Sequence, residues 1–181
     1  MEQRLQICPS ESKGMDKKME KDKKAVLSFD AYELQKYEPN RYPFLFIDRV
    51  TECVPGEYAK GYKNLTNNEW FFPHHYEGHP FMPAAIQTEA LSQMVTVAFT
   101  TLPGIDRVDV VGSSWSAKFH REIRPGDRLD IEAYVRSYSR GVGKGYAKSY
   151  VDGELACEIE VTMVIPCEFN KYKPKKNNEG K

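Results

Sequence analysis

Between Pro83 and Gly104 the only charged residue is Glu89, in a stretch that also holds Ile86, Ala90, Leu91, Met94, Val95, Val97, Ala98 and Phe99. A carboxylate carried into such surroundings must find donors or take up a proton, because desolvation penalises its ionised form. A carboxyl kept neutral near pH 7 can give that proton away, which is the work of a general acid. Gln93 stands four residues on, on the same face of a helix, where its amide can bond Glu89 and fix its direction. Taken alone, Glu89 is equally well read as a structural glutamate satisfied by backbone groups or by an Arg or Lys of a neighbouring sheet.

Just upstream, Phe72-Pro73-His74-His75-Tyr76-Glu77-Gly78-His79-Pro80 gathers three of the four histidines. Pro73, Gly78 and Pro80 predict a stiff, non-helical loop, and a histidine on it can be aimed at a ligand. Neutral imidazole accepts a proton near pH 7, as a general base must. A zinc site is the competing chemistry, but His75 and His79 converge on one ion only along a helix, and neither His-Glu-x-x-His nor paired cysteines are present. No metal is expected. Gly141-Val142-Gly143-Lys144-Gly145 lacks the spacing of a phosphate loop and reads as a strand connection.

These groups need a scaffold. Pro83 at the first turn and Pro103-Gly104 beyond the end predict a helix over 83–102, apolar on nearly every side and therefore buried. Its Gln87, Thr88, Glu89, Ser92, Gln93 and Thr96 fit a membrane span poorly. Ser28 can cap a short helix through Lys36. Strands are expected over Phe44–Val50 and Tyr58–Leu65, joined at Pro55-Gly56, and over Trp115–Ile123, ending before Pro125-Gly126-Asp127. Leu129, Ile131, Ala133 and Val135 alternate with polar residues, as do Leu155, Cys157, Ile159, Val161 and Met163, and Asp152-Gly153 supplies a tight hairpin. The fold class is α+β: one antiparallel sheet wrapped around one long central helix.

The 26 basic and 26 acidic residues cancel, so charge does not point to a nucleic-acid partner. Four scattered cysteines suggest reduced thiols and a cytoplasmic protein, and the charged start has no signal-peptide core. Residues 1–27 and 169–181 have the composition of disordered ends flanking one folded domain over 28–168.

Over roughly Asn40 to Pro166 the chain resembles the beta-hydroxyacyl-[acyl-carrier-protein] dehydratases of the FabZ type. Asn40-Arg41-Tyr42-Pro43-Phe44-Leu45-Phe46-Ile47-Asp48-Arg49-Val50 is similar to their opening strand. Phe71-Phe72 through Gln93 is similar to their catalytic loop and helix, and Ala117-Lys118-Phe119 through Asp127 to a further segment. The resemblance implies a hotdog fold and a homodimer, or a trimer of dimers, with active sites at the subunit interface. It implies His75 as the base that removes the α proton of a 3-hydroxyacyl thioester, and Glu89 of the other protomer as the acid that protonates the departing hydroxyl. Gly78, Ala84 and Gln93 would line the substrate, with the backbone N–H near Ala84 facing the thioester carbonyl. No cofactor is implied beyond the phosphopantetheine of an acyl carrier protein, which would present the chain to an apolar tunnel beside the helix. Lys118, Arg121 and Arg124 are candidate contacts for that acidic carrier. The family pattern has histidine at Asn40, glycine at His74, proline at Glu77 and glycine at Ala84, departures that suggest a specialised, polyketide-like substrate. A hotdog thioesterase and a non-catalytic acyl-carrier-binding subunit are the rival readings.

Overall fold

The computed structural model describes residues 25–105 and 109–173. The expectations for 1–24 and 174–181 lie outside the described residues. In chain order the elements are β1 (Leu27–Phe29), α1 (Ala31–Leu34), β2 (Arg49–Val54), β3 (Tyr58–Asn64), α2 (Phe72–His75), α3 (Ala84–Thr100), β4 (Val111–Phe119), β5 (Arg128–Ser139), β6 (Val142–Val151), β7 (Glu154–Val164) and α4 (Pro166–Asn170). The seven strands form one sheet in the order β1-β2-β3-β5-β6-β7-β4. Every neighbouring pair is antiparallel.

The sheet wraps α3, whose residues from Ala90 to Thr100 are all buried. Small residues on the sheet make room for the helix. Ala59, Ala133 and Ala147 lie side by side across β3, β5 and β6, each fully buried. On β6 a Cβ at Gly143 would stand 2.7 Å from the Phe99 ring, and one at Gly145 would stand 2.7 Å from Val95. The glycine alternation from 141 to 145 is thus a seat for the helix, and only Arg140-Gly141, both at positive φ, makes the hairpin turn. Asp152 (φ 52°) and Gly153 (φ 82°) make the next hairpin as expected.

Several boundaries differ from the sequence reading. Ser28 lies in β1, and Asp30 caps α1 instead, its Oδ1 accepting from the backbone N–H groups of Tyr32 (2.8 Å) and Glu33 (2.9 Å) while Glu33 reaches back to the Asp30 N–H. Strand pairing begins at Arg49, not Phe44. The segment ahead of it is tied down elsewhere, since the Phe46 N–H donates to a side chain of α3 and the Asp48 N–H to Tyr62 O. The strand expected over Trp115–Ile123 is β4, which ends at Phe119, and Ile123 then accepts from the Met82 N–H across the loop before α3. Leu27 and Phe169-Asn170, assigned above to disordered ends, belong to β1 and α4.

An ion cluster holds the loop that leads to the histidines. Lys63, almost buried on β3, bonds Asp48 at 3.0 Å and Glu69 at 2.8 Å, and Asp48 also accepts from the Asn64 N–H at 2.7 Å. Asp48 and Glu69 flank the cation from two loops, which offsets its desolvation.

Candidate active site

Glu89 sits half-buried near the start of α3, and Gln93 one turn later is what fixes it. The Gln93 Nε2 donates to Glu89 Oε1 at 2.9 Å and to Phe44 O at 2.7 Å, while its Oε1 accepts from the Phe46 N–H at 2.8 Å. One amide therefore satisfies two backbone groups of the 44–46 segment and directs the carboxyl. Gln93→Leu leaves the Phe46 N–H buried without an acceptor and is expected to cost about 2–4 kcal/mol in urea unfolding. A loss under about 0.5 kcal/mol would mean that water replaces the amide without penalty.

His75 closes α2, a turn of helix that the prolines were expected to forbid. Pro73 is tolerated because it falls in the first turn, where no N–H is required. The non-helical path begins only at Tyr76. His75 Nδ1 lies 2.9 Å from Phe81 O, and its ring packs against Tyr76 and Phe81, both with centroids at 4.3 Å. A carbonyl can only accept, so this bond assigns the proton to Nδ1 and leaves Nε2 of the neutral ring with a free lone pair. His79 turns to Glu122 at 3.0 Å, and Gly78 adopts φ +71° on an exposed loop tip.

The start of α3 offers backbone donors. No side chain caps it: Pro83 is the capping residue, and its carbonyl accepts from the N–H groups of Ile86 and Gln87. The N–H groups of Ala84 and Ala85 have no helical acceptor, and both residues are exposed. A 17-residue helix adds its dipole to these donors.

Sequence reasoning missed Glu38. The residue is 1% exposed and lines, with Asn40, Glu89, Ser92, Thr96 and Trp115 among others, a cavity of about 60 Å³. Oε1 accepts from Asn40 twice, from the backbone N–H at 2.9 Å and from Nδ2 at 2.8 Å, while Oε2 has no partner. The only sequence signal was Asn40 itself, one of the departures from the family pattern. Burial, reinforced by the nearby Glu89 charge and opposed by the Asn40 bonds, lifts Glu38 from the ordinary glutamate value of 4.5 to about 7. Folded protein then keeps a proton that unfolded chain releases near pH 4.5, so stability declines as pH rises between those two values. Glu38→Gln is expected to flatten that decline, at most about 3 kcal/mol, in denaturation curves taken from pH 4 to 8.

Of the three basic residues singled out, each faces a carboxylate. Lys118 meets Glu158 at 3.3 Å, Arg121 meets Glu154 at 2.8 Å, and Arg124 meets Glu122 at 2.7 Å. Within a single chain His75 is not hydrogen-bonded to Glu89 and does not line the cavity at Glu89. Gln93 and Glu89 are brought together on α3; His75 bonds Phe81 just ahead of that helix, and neither it nor Gly78 nor the three basic residues line the cavity at Glu89.

A long helix buried in an antiparallel sheet, with a lone carboxyl near its start, defines a hotdog protein of the FabA-like class, and residues 38–160 match the FabA-like domain family. Solved structures agree on the fold. A virulence protein from Campylobacter jejuni superposes with a TM-score of 0.56 at 15% identity, covering 70% of this chain and 81% of its own. A hypothetical thioesterase from Streptococcus pneumoniae gives 0.52 at 12%, covering 64% and 83%. Sequence relatives are nearer. The 3-hydroxyacyl-[acyl-carrier-protein] dehydratase FabZ of Ligilactobacillus salivarius is 42% identical over 137 residues, 75% of this chain and 98% of that protein. FabZ of Bacillus subtilis is 36% identical over 137 residues, 75% and 97% respectively. The chain belongs to the FabZ-type dehydratase family.

Proposed function

We propose that this protein removes water from 3-hydroxyacyl thioesters carried on acyl carrier protein, in fatty-acid or related acyl-chain biosynthesis, giving the trans-2-enoyl thioester. The observation that carries the reading is Glu89, the one ionisable residue of α3, aimed by Gln93. The free Nε2 of His75 takes the proton α to the carbonyl, and the enolate oxygen settles on the N–H groups at Ala84 and Ala85. Glu89 gives its proton to the β-hydroxyl, which leaves as water. The Ala84 methyl replaces a hydrogen of the family pattern but leaves the backbone donor in place.

The two groups meet across a homodimer, His75 of one protomer serving Glu89 of the other. Supporting this, β4 is an edge strand that exposes Val111, Trp115 and Phe119, the kind of edge that a second copy covers. Lys118 and Arg124, on well-exposed ion pairs that contribute little, are free to exchange partners for an acidic carrier, with Arg121 beside them. Among the described residues no helix is long and apolar enough to cross a membrane.

Mass spectrometry of short and medium 3-hydroxyacyl carrier proteins after incubation with the enzyme tests the reading. Loss of one water is expected. Release of free acid would make it a thioesterase, and unchanged substrate at every length would make it a binding subunit.

A further inference from the structure

We infer that the cavity between Glu38 and Glu89 is a polar subsite that takes a hydroxyl group carried on the acyl chain, with Glu38 as the residue that selects for it. The inference rests on the dehydratase reading and narrows its substrate class. Several polar side chains around the cavity are engaged with partners other than Glu38. The Trp115 indole N–H donates to Ser92 Oγ at 3.0 Å, and Thr96 Oγ1 donates to Met163 Sδ at 3.3 Å. Gln93 is occupied by Phe44, Phe46 and Glu89.

Arg41 is the nearby cation that could neutralise Glu38, and it is turned away. Its guanidinium donates to the carbonyl oxygens of Glu38, Pro39 and Asn40 through Nη1 and to that of Gln35 through Nη2. Asn40 donates to Oε1 from its backbone N–H and from its side-chain amide. Glu38 Oε2 is therefore left as a fully buried oxygen without a partner, on a residue 1% exposed that lines a cavity shared with Glu89.

An unsubstituted acyl chain in this cavity would leave that oxygen dry and unpaired, a penalty that a hydroxyl removes. A hydroxyl also fits either protonation state of Glu38, donating to the carboxylate or accepting from the acid. At about 60 Å³ the cavity has room for a hydroxyl and the carbon bearing it. A single water needs only about 10–15 Å³ on the same measure, so water is the competing occupant.

The test compares wild type with Glu38→Leu on pantetheine thioesters of 3-hydroxyhexanoate, 3,4-dihydroxyhexanoate and 3,5-dihydroxyhexanoate. Inert amide analogues of all three are titrated calorimetrically in parallel. Wild type is expected to favour one of the dihydroxy chains by about 10–100-fold in kcat/KM and in affinity. Glu38→Leu should erase that preference, read as the ratio among the three chains within one preparation. Glu38→Gln, which keeps a hydrogen-bonding group of the same shape, should retain part of it and shows that the site folds. Equal handling of the three chains by wild type, or a preference surviving in Glu38→Leu, would mean that water alone fills the cavity and would overturn the inference. If no thioester loses water, the dehydratase reading fails, and the amides still decide: selective binding lost in Glu38→Leu upholds the subsite, while equal or absent binding overturns it.

Discussion

Glu89→Gln is expected to slow dehydration of a 3-hydroxyacyl carrier protein by ~10²–10⁴-fold while the fold stays intact. The amide has the shape of the carboxyl, and its oxygen can accept from Gln93 Nε2 as Glu89 Oε1 does at 2.9 Å. The bonds from Gln93 to Phe44 and Phe46 are untouched, so the segment before β2 keeps its place. What disappears is the transferable proton, since an amide has none to give at neutral pH. Steady-state turnover, with thermal unfolding as the control, separates chemistry from structure. Stability is expected to change by less than about 1 kcal/mol, because no buried group loses its partner. Undiminished turnover by a folded variant would remove Glu89 from the mechanism.

The parts of this design that could be read from the sequence are those set by local pattern. The central helix announced itself by an unbroken apolar run between Pro83 and Pro103-Gly104, and the structure gives Ala84–Thr100. The terminal meander followed from alternation and from Asp152-Gly153, whose positive φ angles few other pairs would tolerate. The Glu89–Gln93 bond followed from helical spacing alone. Where distant residues decide, the pattern misled. The opening of the strand expected over Phe44–Val50 looked regular because Phe44 to Ile47 are apolar, yet the Phe46 N–H is satisfied by Gln93, 47 positions away, and the Asp48 N–H by Tyr62. The carboxylates beside Lys118 and Arg121 were likewise out of reach of local pattern, since Glu158 and Glu154 come from a strand that follows 40 and 33 residues later. Glu38 carried no periodicity at all, and its burial beside Glu89 is visible only once α3 has been docked.

Mixing two inactive variants is expected to restore activity if, as proposed, the two catalytic groups of each site come from different copies of the chain. His75→Ala keeps Glu89, and Glu89→Gln keeps His75. In a dimer formed from one of each, one site combines the intact histidine with the intact glutamate and the other site lacks both. Random exchange of subunits makes half the dimers mixed, with one working site of two, so about a quarter of wild-type turnover should return. Each variant alone should remain slower by ~10²-fold or more. A shared site is consistent with the single chain, in which His75 Nδ1 is bonded to Phe81 O, Glu89 lines the cavity at Trp115, and His75 does not line that cavity. The edge strand β4, with Val111, Trp115 and Phe119 exposed, is where the second copy would bring its histidine. Subunits are exchanged by brief dilution in mild denaturant and recovery, and turnover is followed with the two variants mixed and apart. If both groups served one protomer, every subunit in the mixture would carry a defect and no activity would return, which makes this mixture the sharpest separation between a site completed by its partner and a site complete within one chain.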